Sequence, residues 1–192
     1  GKSVALIVKK DMFLTYKKRD IYTNNYSLTR ESALETILSC LDSDEYIVST
    51  TGKTSREIYE IRERSGAGHG NDFLTVGSMG HASQIALGIA MAKTDRKVWC
   101  FDGDGAAIMH MGSMAIVANK SPKNYVHVVF NNGAHDSVGG QPTVGLKIDL
   151  PAVAKAVGYK AAISVSSKEE LEKELSALNS QLSTIGGPIL LE

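Results

Sequence analysis

Apolar residues in this chain fall in short unbroken blocks, with helical periodicity between them. Residues 46–50, 98–101, 125–130, 160–165 and 188–191 are such blocks, and 73–76 is a briefer extended run. Residues 54–64, 82–92, 106–119, 150–157 and 167–182 read as helices. A further helix begins near Thr29, because Ala33, Leu34, Ile37, Leu38 and Leu41 share one face. Ser27 or Thr29 offers its cap and Glu31 sits in its first turn. Strands covered on both faces are continuously apolar, whereas half-exposed strands alternate. Strand alternating with helix therefore predicts an α/β fold: a doubly wound, mostly parallel sheet with helices on both faces. Residues 4–8 (VALIV) read as a strand with nothing before it to pair with, followed by a polar stretch through Asn24 and Asn25. Residues 1–26 are therefore expected to be the tail of a preceding domain and a linker, and 27–192 the domain proper. The last strand stops without a cap, so both ends read as cut from a longer chain.

Composition narrows the partners. The 192 residues carry 21 basic and 21 acidic side chains, 43% hydrophobic and 22% charged residues. Apolar surface is sufficient to offset the entropy of ordering, so disorder is excluded for most of the length. A balanced charge offers no strong field for a nucleic-acid backbone or an anionic membrane, and no apolar run approaches the ~20 residues of a membrane span. Cys40 and Cys100 form no CxxC and have no cysteine–histidine spacing for zinc, so both are expected to be buried thiols of a cytoplasmic protein. Lys9 and Lys10 close the first apolar run without a cleavage site, which argues against a signal peptide.

The 18 glycines matter through their positions. In a doubly wound sheet ligands sit at the carboxyl ends of strands. Loops 51–53, 103–105 and 131–134 occupy such ends, with 77–80 beside them. Two motifs fail on inspection. Gly52-Lys53-Thr54 would close a P-loop only with glycine at 47, which is Ile47, and Gly66-Ala67-Gly68-His69-Gly70 has the wrong spacing and precedes a strand. Gly103-Asp104-Gly105 follows a buried strand and opens a helix. The free N–H groups of Gly105, Ala106 and Ala107 can hold a phosphate there. Asp104 is an oxygen ligand suited to magnesium, Asn132 a neutral second ligand after the next strand, and a nearby carbonyl a third. Alone, the glycine-bracketed Asp104 would be a tight turn with an aspartate cap, and Asn131-Asn132-Gly133 could be a hairpin turn.

Gly103-Asp104-Gly105 followed by Asn131-Asn132 resembles the cofactor motif of thiamine diphosphate-dependent enzymes, in their pyrophosphate-binding domain. The resemblance implies thiamine diphosphate bound through Mg2+, with Asp104, Asn132 and the carbonyl of Ala134 as metal ligands, and with Gly103, Gly105 and Ala106 at the diphosphate. It implies that Met79 wedges between the two cofactor rings. Gly77 and Met79, with Ser78 between them, would bond the aminopyrimidine edge. Thr51-Gly52-Lys53 matches the family's first strand-end loop at the diphosphate, and Lys53 or Arg56 can also meet an anionic substrate. Segments 51–57, 76–83 and 131–142 are similar to the phosphonopyruvate decarboxylases; sulfopyruvate decarboxylases are similar through the first two and are expected to differ at His135-Asp136. The implied reaction converts 3-phosphonopyruvate to phosphonoacetaldehyde and carbon dioxide, with His135 and Asp136 as candidate catalytic residues. His81 and His110 read as packing or supporting groups and His127 as structural.

The family also needs a glutamate that activates the pyrimidine, supplied by a separate pyrimidine-binding domain. No segment before Thr29 is long enough to be that domain. The expected partners are therefore that domain, upstream in the same protein or on another subunit, a small anionic 2-oxo acid, and further copies of the protein in a homo-oligomer, with no nucleic acid and no membrane. The rival enzyme is a sulfopyruvate decarboxylase beta subunit. The rival of another class is a non-catalytic module that uses the Asp104 loop only to bind an anion or nucleotide.

Overall fold

The computed structural model describes residues 1–14 and 26–192. The unbroken apolar runs become strands β1 (Tyr46–Ser49), β2 (Asp72–Leu74), β3 (Val98–Gly103) and β4 (Tyr125–Phe130). A small antiparallel hairpin follows, β5 (Ala134–His135) with β6 (Gln141–Pro142), and then β7 (Ala161–Ile163) and β8 (Ile189–Leu191). The main sheet has the order β2-β1-β3-β4-β8-β7, and every neighbouring pair in it is parallel. The chain leaves β1 toward β2 on one side and returns through β3 on the other. That reversal opens a crevice at the carboxyl ends of β1 and β3.

Helices α1 (Arg30–Ser39), α2 (Lys53–Ser65), α3 (Ala82–Ala92), α4 (Asp104–Met109), α5 (Gly112–Lys120), α6 (Leu150–Val157) and α7 (Lys168–Ile185) cover the sheet. Leu34, Ile58 and Leu171 of α1, α2 and α7 pack on one face with Phe101 and Val128. Ala86, Val117 and Leu150 of α3, α5 and α6 pack on the other with Cys100 and Val129. Local chemistry sets the starts: Thr29 Oγ1 accepts from Ser32 N at 3.2 Å, Asp149 from Ala152 N at 2.8 Å, and Ser167 with Glu170 forms a reciprocal capping box. The small residues of α3 let it lie close to β3 within this domain.

Three expectations are corrected. The helix expected over 106–119 is two helices, and the first begins at Asp104. Gly112 is a poor helix former, and His110 leaves the helix (φ −127°, ψ 43°) to set its ring 4.3 Å from that of His81. Residues 4–8 form no strand; Val4, Leu6 and Ile7 are exposed, because among the described residues no neighbouring strand offers them a ladder. Cys40 is exposed beyond the inward face of α1, while Cys100 is buried. The linker expected through Asn24 and Asn25 lies outside the described residues for most of its length.

Candidate active site

The β1–α2 loop is pinned from below. Thr50 N donates to Phe101 O at 2.8 Å and Ser55 Oγ to Thr50 O at 2.6 Å. Gly52 has φ +108°, and a Cβ there would lie 2.5 Å from Ser137 Oγ. Glycine is thus required twice, for the dihedral and for the approach of the 136–138 turn. Lys53 N then donates to Ser137 Oγ at 3.2 Å. The 75–80 loop is tied to the same place: Thr75 N and Oγ1 both donate to Ser49 O, and Gly77 N donates to Thr51 Oγ1 at 3.0 Å. Gly80 (φ +85°) lets the loop press on α4, where a Cβ would meet Ala106 O at 2.8 Å.

These loops enclose a cleft of about 280 Å3. Every site residue expected from the sequence lines it except Gly77, Ser78 and Ala107, and Gly77 is bonded to its wall through Thr51. Met79 reaches over Gly105, with its Cε 3.2 Å from the position a Cβ there would take. The His135 ring lies closer still, 2.4 Å from that position. Gly105 therefore serves by leaving room.

Asp104 is 2% exposed. Burial pushes its carboxyl above the usual carboxylate range, opposed by hydrogen bonds from the Thr143 hydroxyl and the Gly105 amide. The side chain of Thr143 donates to Asp104 Oδ2, and Gly145 packs so near that a Cβ would collide with that oxygen. Asn132 Oδ1 accepts from Ala134 N at 3.0 Å, and Asn131 Nδ2 ties the loop to Gly145 O at 3.0 Å and Glu192 Oε1 at 2.7 Å. Asp104, Asn132 and Ala134 all line this cleft, and a carboxyl, a carboxamide and a backbone carbonyl are hard oxygen donors, a set that suits magnesium. A buried acid with a raised pKa is also a group that a cation would return to its charged form. Residues and metal fit one another. At the mouth, Asp136 Oδ2 stands 3.5 Å from both Lys53 Nζ and Arg30 Nη1, and Arg30 makes two bonds of 2.7 Å to Glu57.

Beneath the loops lies a polar cluster that the sequence reading missed in part. His127 is structural, as expected, but it is not alone. Its Nε2 is 3.0 Å from Asp102 Oδ2 and its Nδ1 3.1 Å from Tyr159 Oη, while Cys100 Sγ is 3.7 Å from the same carboxyl oxygen. The parallel register pairs Cys100 with His127, which sets Asp102 beside them on one face. Burial raises the Cys100 thiol pKa well above its ordinary value, so the thiol stays neutral. Thr143 and Arg30 were also missed; each reaches the site from a segment with no motif of its own.

A family profile, the C-terminal TPP-binding domain of thiamine pyrophosphate enzymes, matches residues 50–192. Over 163 residues the chain is 45% identical to a phosphonopyruvate decarboxylase of Streptomyces hygroscopicus, covering 85% of this chain and 38% of that protein. It is 38% identical over 154 residues to a sulfopyruvate decarboxylase subunit beta of Methanocaldococcus jannaschii, covering 79% of this chain and 78% of that one. The X-ray structure of a candidate thiamin diphosphate-dependent enzyme from Mycobacterium smegmatis shares the fold, with TM-score 0.68 at 23% identity over 85% of this chain and 31% of that one. The chain thus spans well under half the length of the phosphonopyruvate decarboxylases it matches. With its sheet, its crevice and the profile match in agreement, the chain belongs to the thiamine pyrophosphate enzymes and contains their C-terminal cofactor-binding domain.

Proposed function

We propose that the protein containing this chain decarboxylates 3-phosphonopyruvate to phosphonoacetaldehyde and carbon dioxide, and that this chain supplies the half of the site that holds diphosphate and magnesium. The observation that carries the reading is the convergence of Asp104, Asn132 and Met79 on one cleft at the strand ends. Asp104, Asn132 and the carbonyl of Ala134 hold the metal. The backbone of Gly103, Gly105 and Ala106, with Thr51, Gly52 and Lys53, holds the diphosphate. Gly77, Ser78 and Met79 orient the aminopyrimidine edge, and the Met79 side chain keeps the two rings apart. Bound thiamine diphosphate supplies the electron sink for the pair left when carbon dioxide departs. His135, against Gly105, would be the proton donor to the product, and Asp136 meets Lys53 and Arg30 at the mouth. The activating glutamate comes from a pyrimidine-binding domain, upstream in the same protein of a cytoplasmic homo-oligomer or on a separate partner subunit.

The choice of phosphonopyruvate rests on the 45% identity to a phosphonopyruvate decarboxylase. Sulfopyruvate is the second reading, favoured by the length match to a natural beta subunit. Assaying both substrates with the complete enzyme separates them. Asp104→Ala is expected to lower kcat/KM by about 100-fold or more and to make cofactor affinity indifferent to magnesium. Wild-type affinity for thiamine diphosphate that ignores magnesium would instead favour a non-catalytic anion-binding module.

A further inference from the structure

The mouth of the cleft carries three cationic side chains, Arg30, Lys53 and Arg56. Glu57 occupies one edge of the Arg30 guanidinium through two bonds of 2.7 Å, which fixes its orientation and leaves Nη1 turned to Asp136. Lys53 Nζ meets the same Asp136 oxygen, and both contacts are 3.5 Å, long for charge-assisted pairs. No carboxylate pairs with Arg56 among the described residues. Asp136 sits on the 136–138 turn, between the short strands of the hairpin and outside the main sheet. One loosely held carboxylate thus neutralises Lys53 and leans on an Arg30 already paired with Glu57, both lining a ligand cleft.

We infer that Arg30 and Lys53 form a seat for the terminal anionic group of the substrate, and that Asp136 is a counter-ion which that group displaces. The inference rests on the proposed decarboxylase reading and deepens it. A tetrahedral group with three oxygens can reach Arg30 Nη1 and Lys53 Nζ together, as the single Asp136 oxygen already does. A phosphonate, like a phosphate monoester, approaches two negative charges near neutral pH, whereas a sulfonate carries one. With Asp136 displaced, Arg30 keeps its Glu57 partner, and Lys53 together with Arg56 supplies the two positive charges that match the dianion, so the seat selects phosphonate over sulfonate by charge and not by shape. Arg30 fits the role because Glu57 fixes one edge of its guanidinium and leaves Nη1 aimed at the seat.

The test uses the complete enzyme and its two candidate substrates, with methylphosphonate and methanesulfonate as unreactive probes. Arg30→Gln is expected to weaken kcat/KM for phosphonopyruvate roughly 10- to 100-fold, chiefly through KM, with a smaller loss for sulfopyruvate and unchanged affinity for thiamine diphosphate. Arg30→Lys, which keeps the charge but loses the fork, should fall between. Asp136→Asn should tighten methylphosphonate binding, read by calorimetry, because the competing carboxylate is gone. Equal losses for both substrates, a loss that follows cofactor affinity, or weaker methylphosphonate binding in Asp136→Asn would each overturn the seat. If the wild-type enzyme turns over neither substrate yet binds methylphosphonate through Arg30, the seat stands and the decarboxylase reading fails. A melting curve for each variant separates loss of the seat from loss of the fold.

Discussion

Strands β3 and β4 present opposite characters to the two layers of helices. Toward α1, α2 and α7 they offer Trp99, Phe101 and Phe130, stacked with centroids 6.2 and 6.1 Å apart, beside Val126 and Val128. Toward α3, α5 and α6 they offer Cys100, Asp102, Tyr125 and His127, joined by Tyr159. Both sets are buried, except for the half-buried Phe130. Apart from the buried bond that Trp99 Nε1 donates to Glu45 Oε2 at 2.8 Å, non-directional contact holds the first, so its energy follows area and fit. The second depends on donors and acceptors that have no water to replace a lost partner. The difference teaches where this domain tolerates change: bulk can be traded on one face, whereas the other must be kept whole or replaced whole.

The largest effect expected from this contrast is at His127. His127→Leu leaves the buried Asp102 carboxyl and the Tyr159 hydroxyl short of partners, and should cost about 3 kcal/mol in urea unfolding. Adding Asp102→Leu should recover part of that loss, because an apolar pair asks for no hydrogen bonds. A strictly additive cycle would remove the distinction between the faces. Phe101→Leu on the other face should cost about 1 kcal/mol, a shape change in a packed layer. The smallest effect concerns Glu192 at the end of β8. Burial raises its carboxyl pKa, opposed by the bond from Asn131. The folded chain therefore binds this proton more tightly than the unfolded one. Stability from this group is greatest at low pH and declines as pH climbs through the unfolded value toward the raised folded one. Glu192→Gln should flatten that decline in melts taken between pH 4 and 7.

The parallel sheet was legible because strands sandwiched between helices must be apolar at every position, as in β3 and β4. The candidate cleft was legible because glycines marked the places of close approach, at 52, 80 and 105. The rest depended on registers and distances that local pattern does not encode. Asp102 and His127 meet only once Cys100 is known to lie opposite His127. Thr143 and Arg30 come from a loop and a helix start with no motif of their own. The break between α4 and α5 places the His110 ring against that of His81, tilted at 55°, a contact 29 positions apart that helix propensity ignores. Cys40 was misjudged for a different reason: the inward positions 33, 34, 37 and 38 already excluded 40 from the buried face of its helix.

The ring of His135 resting where residue 105 lacks a side chain ties two distant stretches into one heritable unit. Enlarging position 105 evicts the imidazole, and shrinking position 135 lifts the restriction on 105. Descendants of this sequence can therefore cross that boundary only by changing both sites, or by changing 135 first. Swapping the hairpin between relatives would accordingly bring its own demand for a bare α-carbon on the opposite wall.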